Sequence, residues 1–153
     1  MTIENIYGNI LSNIIEIMIF HDQVNQIFNF IGFYETANYH RQIYIKQLKI
    51  YNEICDYYIN NYNRIPKLKR INDSNPILNS LYGKKREDIT PNIQMDIIDE
   101  WLRRKRKLKK TYESMYGELV LLGEITSANE LSVYITDSNN MIKEIENHKL
   151  YVK

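Results

Sequence analysis

The sequence has little of what covalent cross-linking, secretion or membrane insertion would need. Its one cysteine, Cys55, cannot form an internal disulfide, which favours a reducing compartment. The most apolar run, residues 14–20, is too short to cross a bilayer and contains Glu16. No Lys or Arg precedes Arg41, so the basic start of a secretory signal is missing. We therefore expect a soluble, cytoplasmic protein that does not associate with a membrane.

Alanine is almost absent, and proline is confined to one region. The two alanines are Ala37 and Ala128, whereas isoleucine, asparagine, lysine and tyrosine are abundant. Because alanine is the best helix former, this bias points to the coding composition of an AT-rich genome, such as a low-GC bacterium, its phage or a mobile element. The three prolines lie between residues 66 and 91, which leaves the rest of the chain free to form long helices.

Two long amphipathic runs occupy the first 62 residues. In each run, apolar side chains recur at steps of three and four along two adjacent seams, as in helices that contact two neighbours inside a bundle. This pattern predicts helix A over about residues 3–30 and helix B over about residues 33–62, with Gly32 as the break between them.

The prolines mark residues 63–90 as one long connector. A connector of this length can cross the whole bundle, so the next helix need not be antiparallel to helix B. Inside it, Asn75 and Pro76 followed by Gly83 predict a short helical turn.

Two further helices follow the connector. Thr90 as N-cap and Pro91 as first residue predict helix C over about residues 91–122, which ends at Gly123. A capping-box pattern from Ser127 to Glu130 predicts helix D over about residues 128–150. We therefore expect one all-α domain, residues 1–153, folded as a four-helix bundle with a long crossover between helices B and C.

Parts of the chain resemble bacterial ferritins. Residues 32–41, Gly-Phe-Tyr-Glu-Thr-Ala-Asn-Tyr-His-Arg, are similar to the start of ferritin helix B, and residues 56–65, Asp-Tyr-Tyr-Ile-Asn-Asn-Tyr-Asn-Arg-Ile, are similar to its end. A weaker likeness runs from residue 108 to residue 146. The resemblance implies a ferritin-like four-helix bundle, whose topology includes this long crossover. In that family, carboxylates and Glu-x-x-His pairs hold two metal ions inside the bundle.

The positions that the resemblance assigns to those ligands hold other side chains. Gln47 and Ile50 occupy the Glu and His positions of helix B. The remaining positions fall near Ile14 on helix A, Lys109 on helix C, and Ser138 and Met141 on helix D. Because iron needs carboxylate and imidazole ligands, we predict no di-iron site and no bound cofactor. Nothing resembles a phosphate loop, a hydrolase triad or a paired-carboxylate site, so we expect a protein that is not an enzyme.

Three histidines and an aspartate offer a different metal site. In an antiparallel hairpin of helices A and B, His21 and His40 should face each other, and ferritin-like topology would put His148 and Asp99 toward the same end. Such a set could bind zinc or nickel. We favour the simpler interpretation, in which the two interior histidines hydrogen-bond to tyrosines and backbone while His148 is solvated.

Residues 103–110 form a strongly basic segment of helix C. On a helix this run wraps nearly all the way round, so some of its charges must face helix B or helix D and pair with acids there. The outward members could contact phosphates or an acidic protein surface, and the candidates are Arg103, Arg104, Arg106, Lys107 and Lys110. The alternative is a solvated helix face with internal ion pairs. No aromatic ladder accompanies the run, so any nucleic-acid binding should be independent of sequence.

Helix B carries seven tyrosines, of which Tyr51 and Tyr58 are candidates for contact with a protein partner or a second copy of the chain. Cys55 has apolar neighbours and is better explained by packing than by nucleophilic chemistry. We therefore expect a non-enzymatic accessory or inhibitor protein that binds another protein. The alternatives are sequence-nonspecific nucleic-acid binding through helix C and a ferritin-like protein with a relocated metal site.

Overall fold

The computed structural model describes residues 1–72 and 74–151. Five α-helices occupy these residues: α1 (Ile3–Phe30), α2 (Tyr34–Tyr62), α3 (Pro76–Asn79), α4 (Ile93–Leu121) and α5 (Ile125–Tyr151). A short 3₁₀ turn, Arg86–Asp88, lies between α3 and α4. No strand occurs in the described part of the chain, so the all-α prediction is confirmed there.

The helices α1 and α2 form a hairpin that turns at Gly32. This glycine has a φ of +88°, a conformation that L side chains rarely adopt, and it follows directly on the C-cap Ile31. The amide of Phe33 donates to the carbonyl oxygen of Phe28 at 2.9 Å, which reverses the chain. The break at Gly32 is where the sequence predicts it.

The start of α4 differs from the prediction by about two residues. Thr90 and Pro91 belong to a turn, because their carbonyl oxygens accept from the amides of Ile93 and Gln94 at 3.2 Å. The helix itself begins at Ile93, and its N-cap Asn92 makes no side-chain capping bond. Thr90 therefore precedes the helix without capping it.

The capping-box prediction for α5 is wrong. The helix begins at Ile125, so Ser127 lies inside it rather than before it. The Ser127 hydroxyl contacts the hydroxyls of Tyr57, at 3.0 Å, and Tyr62, both on α2. The side chain that resembles a cap therefore joins two helices.

Contacts between α1 and α4 show that these helices run antiparallel. Asn9 Nδ2 lies 3.8 Å from Met115 Sδ, and the Arg104 guanidinium lies 5.3 Å from the ring centroid of Phe20. Later residues of α1 thus contact earlier residues of α4. Because α1 is also antiparallel to α2, the helices α2 and α4 point the same way.

The connector between α2 and α4 runs along α1. The amide of Lys69 donates to the Ser12 hydroxyl at 2.9 Å, and Arg86 Nε donates to the carbonyl oxygen of Phe30 at 2.8 Å. The connector therefore passes from the N-terminal part of α1 to its C-terminal end.

The apolar core consists of two clusters, one around Tyr112 and the other around Trp101. Between them, three helices each contribute one buried polar residue: Gln47 on α2, Lys105 on α4 and Ser138 on α5. We call these three residues the polar layer. On α1, the apolar side chains continue past this level without a polar residue.

Candidate functional site

The polar layer occupies the part of the interior where the ferritin resemblance places metal ligands. Gln47 and Ser138 are 2% and 1% exposed, as expected for inward positions. The resemblance puts the helix C ligand position near Lys109, to within about one helical turn. The lysine that points inward is Lys105, whereas Lys109 is partly exposed and pairs with Glu113 at 3.4 Å. An amide, an ammonium group and a hydroxyl are poor substitutes for the carboxylates and imidazoles that iron needs.

Lys105 is the most deeply buried charged residue of this segment, with 4% of its surface exposed. Burial lowers its pKa to about 8, and the nearby charge of Lys46 acts in the same direction, against Asp137. Among the described residues, no carboxylate lies within ion-pair distance of its ammonium group. The interior of the bundle therefore has a cationic character at this level.

His21 and His40 face each other, as the hairpin arrangement predicts. Their Nδ1 atoms are 3.0 Å apart, so one ring must donate and the other accept. Burial lowers the pKa of His40 to about 3, and burial followed by the charge of His40 lowers the pKa of His21 well below its usual value. The expectation that these histidines bond to tyrosines and backbone was wrong, because they bond to each other.

Trp101 of α4 packs against both rings of this histidine pair. Its ring packs edge-on to His21 and at a steep angle to His40, with centroid distances of 5.3 and 5.1 Å. Within the described chain, His21 Nε2 and Trp101 Nε1 are buried without a hydrogen-bond partner. Neutral imidazoles are the form that such an apolar surrounding favours.

The relocated metal site is not assembled. His148 is exposed, with its ring centroid 6.5 Å from that of Tyr39, and Asp99 is exposed and bound to Lys149 at 2.6 Å. In residues 1–72 and 74–151, no three His, Cys, Asp or Glu side chains come together as metal ligands. Lys149 thus binds the carboxylate of Asp99, which a metal ion at this site would have needed as a ligand.

Most of the predicted basic residues gather in one groove between α4 and α5, with a volume of about 540 Å³. We call it the basic groove. Its lining consists of Asp99, Leu102, Arg103, Arg106, Lys107, Lys110 and Lys149. Lys149 was not among the predicted residues. The signal was present, because an antiparallel hairpin that turns near Gly123 places residue 149 beside the first part of α4.

Carboxylates of the same chain hold most of the groove cations. Arg103 binds Glu100 at 2.6 Å, and Arg106 binds Glu146 at 3.1 Å. Lys107 lies 3.6 Å from a carboxylate oxygen of α1, and Lys149 binds Asp99. Lys110 is exposed and makes no ion pair with any residue that the structure describes. The interpretation of this segment as a face with internal ion pairs thus accounts for most of its charges.

Arg104 lies outside the basic groove. Only 10% of its side chain is exposed, because its guanidinium packs over Phe20, binds Glu100 at 2.8 Å and donates to the carbonyl oxygen of Ser74 at 3.1 Å. The hydrogen bond from Arg103 and the charges of both arginines lower the pKa of Glu100. Arg104 therefore anchors the connector to α4, and its assignment as a surface contact was wrong.

The two predicted contact tyrosines have different surroundings. Tyr58 is 1% exposed and packs against Tyr7 with ring centroids 5.0 Å apart, so its assignment to a partner surface was wrong. Tyr51 is partly exposed on α2 and keeps that candidate role as a prediction. Burial raises the pKa of Tyr62, whose hydroxyl reaches α5 together with that of Tyr57. These last two tyrosines connect α2 and α5, a role that their sequence positions did not indicate.

No protein-family model matches this chain, and a search of curated proteins finds no significant match. In the part of the chain that the structure describes, no helix combines the length and the apolar character that a bilayer crossing requires.

Proposed function

We propose that this chain is a ferritin-like four-helix bundle without oxidative chemistry, and that it acts as a cytoplasmic accessory or inhibitor protein that binds an acidic protein surface. The fold part of the proposal is supported by the parallel direction of α2 and α4 and by a connector that follows α1. A crossover of this kind is expected for the ferritin-like family. The AT-rich composition supports an origin in a low-GC bacterium, its phage or a mobile element.

The observation that carries the binding proposal is the basic groove. Five cationic side chains from two helices surround Leu102, which is 6% exposed and gives the groove an apolar floor. Salt bridges to neighbouring acids already orient most of these cations, and exposed salt bridges contribute little stability. The carboxylates of a partner can therefore take the place of these intramolecular acids at low energetic cost. Lys110 pairs with none of the residues that the structure describes, so it is available as well.

Nucleic acid is the alternative ligand for the same groove. Its phosphates would meet the same cations, and the four carboxylates beside them reduce the positive charge for either ligand. The residues that line the groove include no aromatic ring on which a base could stack. This feature favours an acidic protein surface over a single-stranded nucleic acid.

Binding of defined probes separates the two ligands. We expect a fluorescent poly-glutamate peptide to bind the wild type, and Arg106→Glu with Lys110→Glu to weaken this binding by about tenfold or more. Lys143→Glu, an exposed α5 lysine outside the groove, is the matched control and should bind as the wild type does.

A labelled duplex DNA and a single-stranded RNA are the competing probes. If either binds more tightly than the peptide, with an affinity that falls steeply as salt rises, the groove is a nucleic-acid site. If none of the probes binds, or if the groove variants bind as the wild type does, the proposed role of the groove is wrong.

A further inference from the structure

A pocket of about 280 Å³ lies where the connector passes over the C-terminal end of α1. We call it the connector pocket, and it shares no residue with the basic groove. The Tyr82 hydroxyl donates to Gln26 Oε1 at 3.3 Å. Arg86 Nε donates to the carbonyl oxygen of Phe30 at 2.8 Å. The connector is therefore held on α1 both before and after residue 84.

The lining of the connector pocket is mostly apolar. Ile27 and Leu81 are buried and belong to one of the two core clusters. Ile89 packs against the same cluster, and the ring of Phe30 is about half exposed. A cavity with apolar side chains around a small number of polar groups is typical of sites for small molecules. The apolar part of a ligand would therefore contact the edge of the core itself.

Among the described residues that line the pocket, Lys84 is the only charged one. Its side chain is exposed and pairs with no carboxylate of the described chain, and the same holds for Lys85. Glu87 and Asp88 follow in the sequence, but they do not line the pocket. The side-chain amide of Gln26 already takes part in hydrogen bonds within the chain. A ligand therefore meets one available cation at the edge of an apolar surface.

We propose that the connector pocket binds a small carboxylic acid with an apolar body. The hydrocarbon part packs against Ile27, Phe30 and Leu81, and the carboxylate binds the ammonium group of Lys84. Since a water molecule takes up about 30 Å³ in the liquid, the pocket holds about nine non-hydrogen atoms, which is close to the size of octanoate. This site goes beyond the proposed role of the basic groove, and neither proposal depends on the other.

Calorimetric titration of the whole chain with octanoate tests the site. Burial of about seven aliphatic carbons corresponds to a dissociation constant on the order of 0.1 mM. Octanol has the same chain length without the charge, and we expect it to bind at least about fivefold more weakly. Octylamine should bind more weakly still, because its ammonium group would face the ammonium group of Lys84.

Two adjacent charge reversals test the role of the lysine. Lys84→Glu should weaken the binding of octanoate by about tenfold and leave the binding of octanol unchanged. Lys85→Glu is the matched control, because it changes the net charge equally at a residue outside the lining, and it should weaken octanoate by less than about threefold. The groove variant Arg106→Glu with Lys110→Glu should bind octanoate as the wild type does. Loss of binding there would place octanoate in the basic groove and overturn the proposal.

Phe30→Ser tests the apolar wall, and since the ring is 46% exposed, its removal should leave the fold intact. It should weaken octanoate and octanol alike, by about fivefold, whereas Val133→Ser, at a 56% exposed residue of α5, should weaken neither. Circular dichroism verifies that each variant keeps its helix content. The proposal is wrong if octanoate does not bind the wild type, or if octanol or octylamine binds as tightly. Equal effects of Lys84→Glu and Lys85→Glu, or an unchanged Phe30→Ser, would also contradict it.

Discussion

The His21–His40 pair couples the interior of the bundle to pH. The two Nδ1 atoms share one hydrogen bond, and the surrounding rings offer no acceptor for a second proton. The pKa of His40 is about 3 in the folded chain against 6.5 in an ordinary histidine, so the unfolded chain binds more protons over that interval. The contribution of the pair to stability is therefore complete above pH 6.5 and decreases as the pH falls.

We expect this pair to lower the free energy of unfolding under mild acid. From pH 6.5 to pH 4.5, His40 alone should remove about 2 kcal/mol, and His21 acts in the same direction. The double variant His21→Leu with His40→Phe should lose less stability over the same range. Urea unfolding, followed by the fluorescence of the single tryptophan Trp101, measures the free energy of unfolding of the wild type and of the variant at each pH.

Carboxylates also titrate in this range, so the test is the difference between the wild type and the variant. His148→Gln replaces an exposed histidine whose charge is the smaller of the two causes that lower the pKa of His40, so it should change the pH profile far less than the double variant does. A double variant with the same acid sensitivity as the wild type would show that the buried pair does not titrate as described.

Residue positions in the interior could be predicted from the sequence more easily than residue partners. The hairpin geometry correctly placed His21 opposite His40, but it could not show that the tyrosines of α2 were engaged elsewhere. The apolar periodicity of helix C places Lys105 on its inner seam, and that residue is buried. The ferritin resemblance pointed one turn away, to Lys109.

At the scale of secondary-structure elements, the backbone of the connector passes close over Gly8 of α1. A Cβ atom added there would lie 2.5 Å from the carbonyl oxygen of Lys67. The backbone of the connector therefore sits directly on the helix at the one glycine in its first turns. A glycine inside a helix normally lowers stability, so its presence here is explained by this close approach.

We expect Gly8→Ala to destabilise the fold, because the gain in helix propensity is smaller than the cost of displacing the connector, about 1–3 kcal/mol. Gly117→Ala is the matched control, since it also lies inside a long helix but has nothing within 4 Å of an added Cβ atom. It should stabilise by about 0.5–1 kcal/mol. Thermal unfolding of both variants gives the sign of each change in stability.

Equal stabilisation by both substitutions would mean that the connector does not rest on α1. If both substitutions lowered the stability, the close approach of the connector could not be the reason for the glycine at position 8. Only opposite signs support a connector packed on the helix at Gly8.

Glycine marked the ends of α1 and α4 reliably, whereas the predicted hydroxyl caps Thr90 and Ser127 did not mark the starts of α4 and α5. Gly32 and Gly123 both end helices with positive φ values, at +88° and +77°, because the conformation itself demands a glycine. Ser127 matches the capping pattern, but tyrosines from another helix take its hydroxyl. Local sequence contains no information about such a partner, which lies 65 or more residues away.

At the scale of the whole molecule, the polar layer separates two apolar clusters that would otherwise merge into one core. At this level of the interior, α2, α4 and α5 contribute an amide, an ammonium group and a hydroxyl. The inward positions of these three residues could be predicted from the sequence. The basic groove could not be predicted completely, because it needs Lys149 from a different helix.

Among the residues of the polar layer, the buried ammonium group of Lys105 should lower the free energy of unfolding the most. With a folded pKa of about 8 against 10.5 in an ordinary lysine, the folded chain binds fewer protons than the unfolded chain between these values. Stability therefore rises with pH in this window, by about 2 kcal/mol up to pH 9.5. Tyrosines whose pKa is raised by burial, such as Tyr112, oppose this rise only near and above pH 10.

Lys105→Met should therefore stabilise the protein at pH 7 by about 1–3 kcal/mol and remove the rise toward pH 9.5, because an apolar side chain of similar length joins the two clusters. Lys109→Met, one turn away and partly exposed, should change the free energy of unfolding by less than about 0.5 kcal/mol. Urea unfolding at pH 7 and pH 9.5 measures both effects. If Lys105→Met destabilises the fold, the ammonium group has a favourable partner in solution. The polar layer would then be a ligand-binding site rather than a packed part of the core.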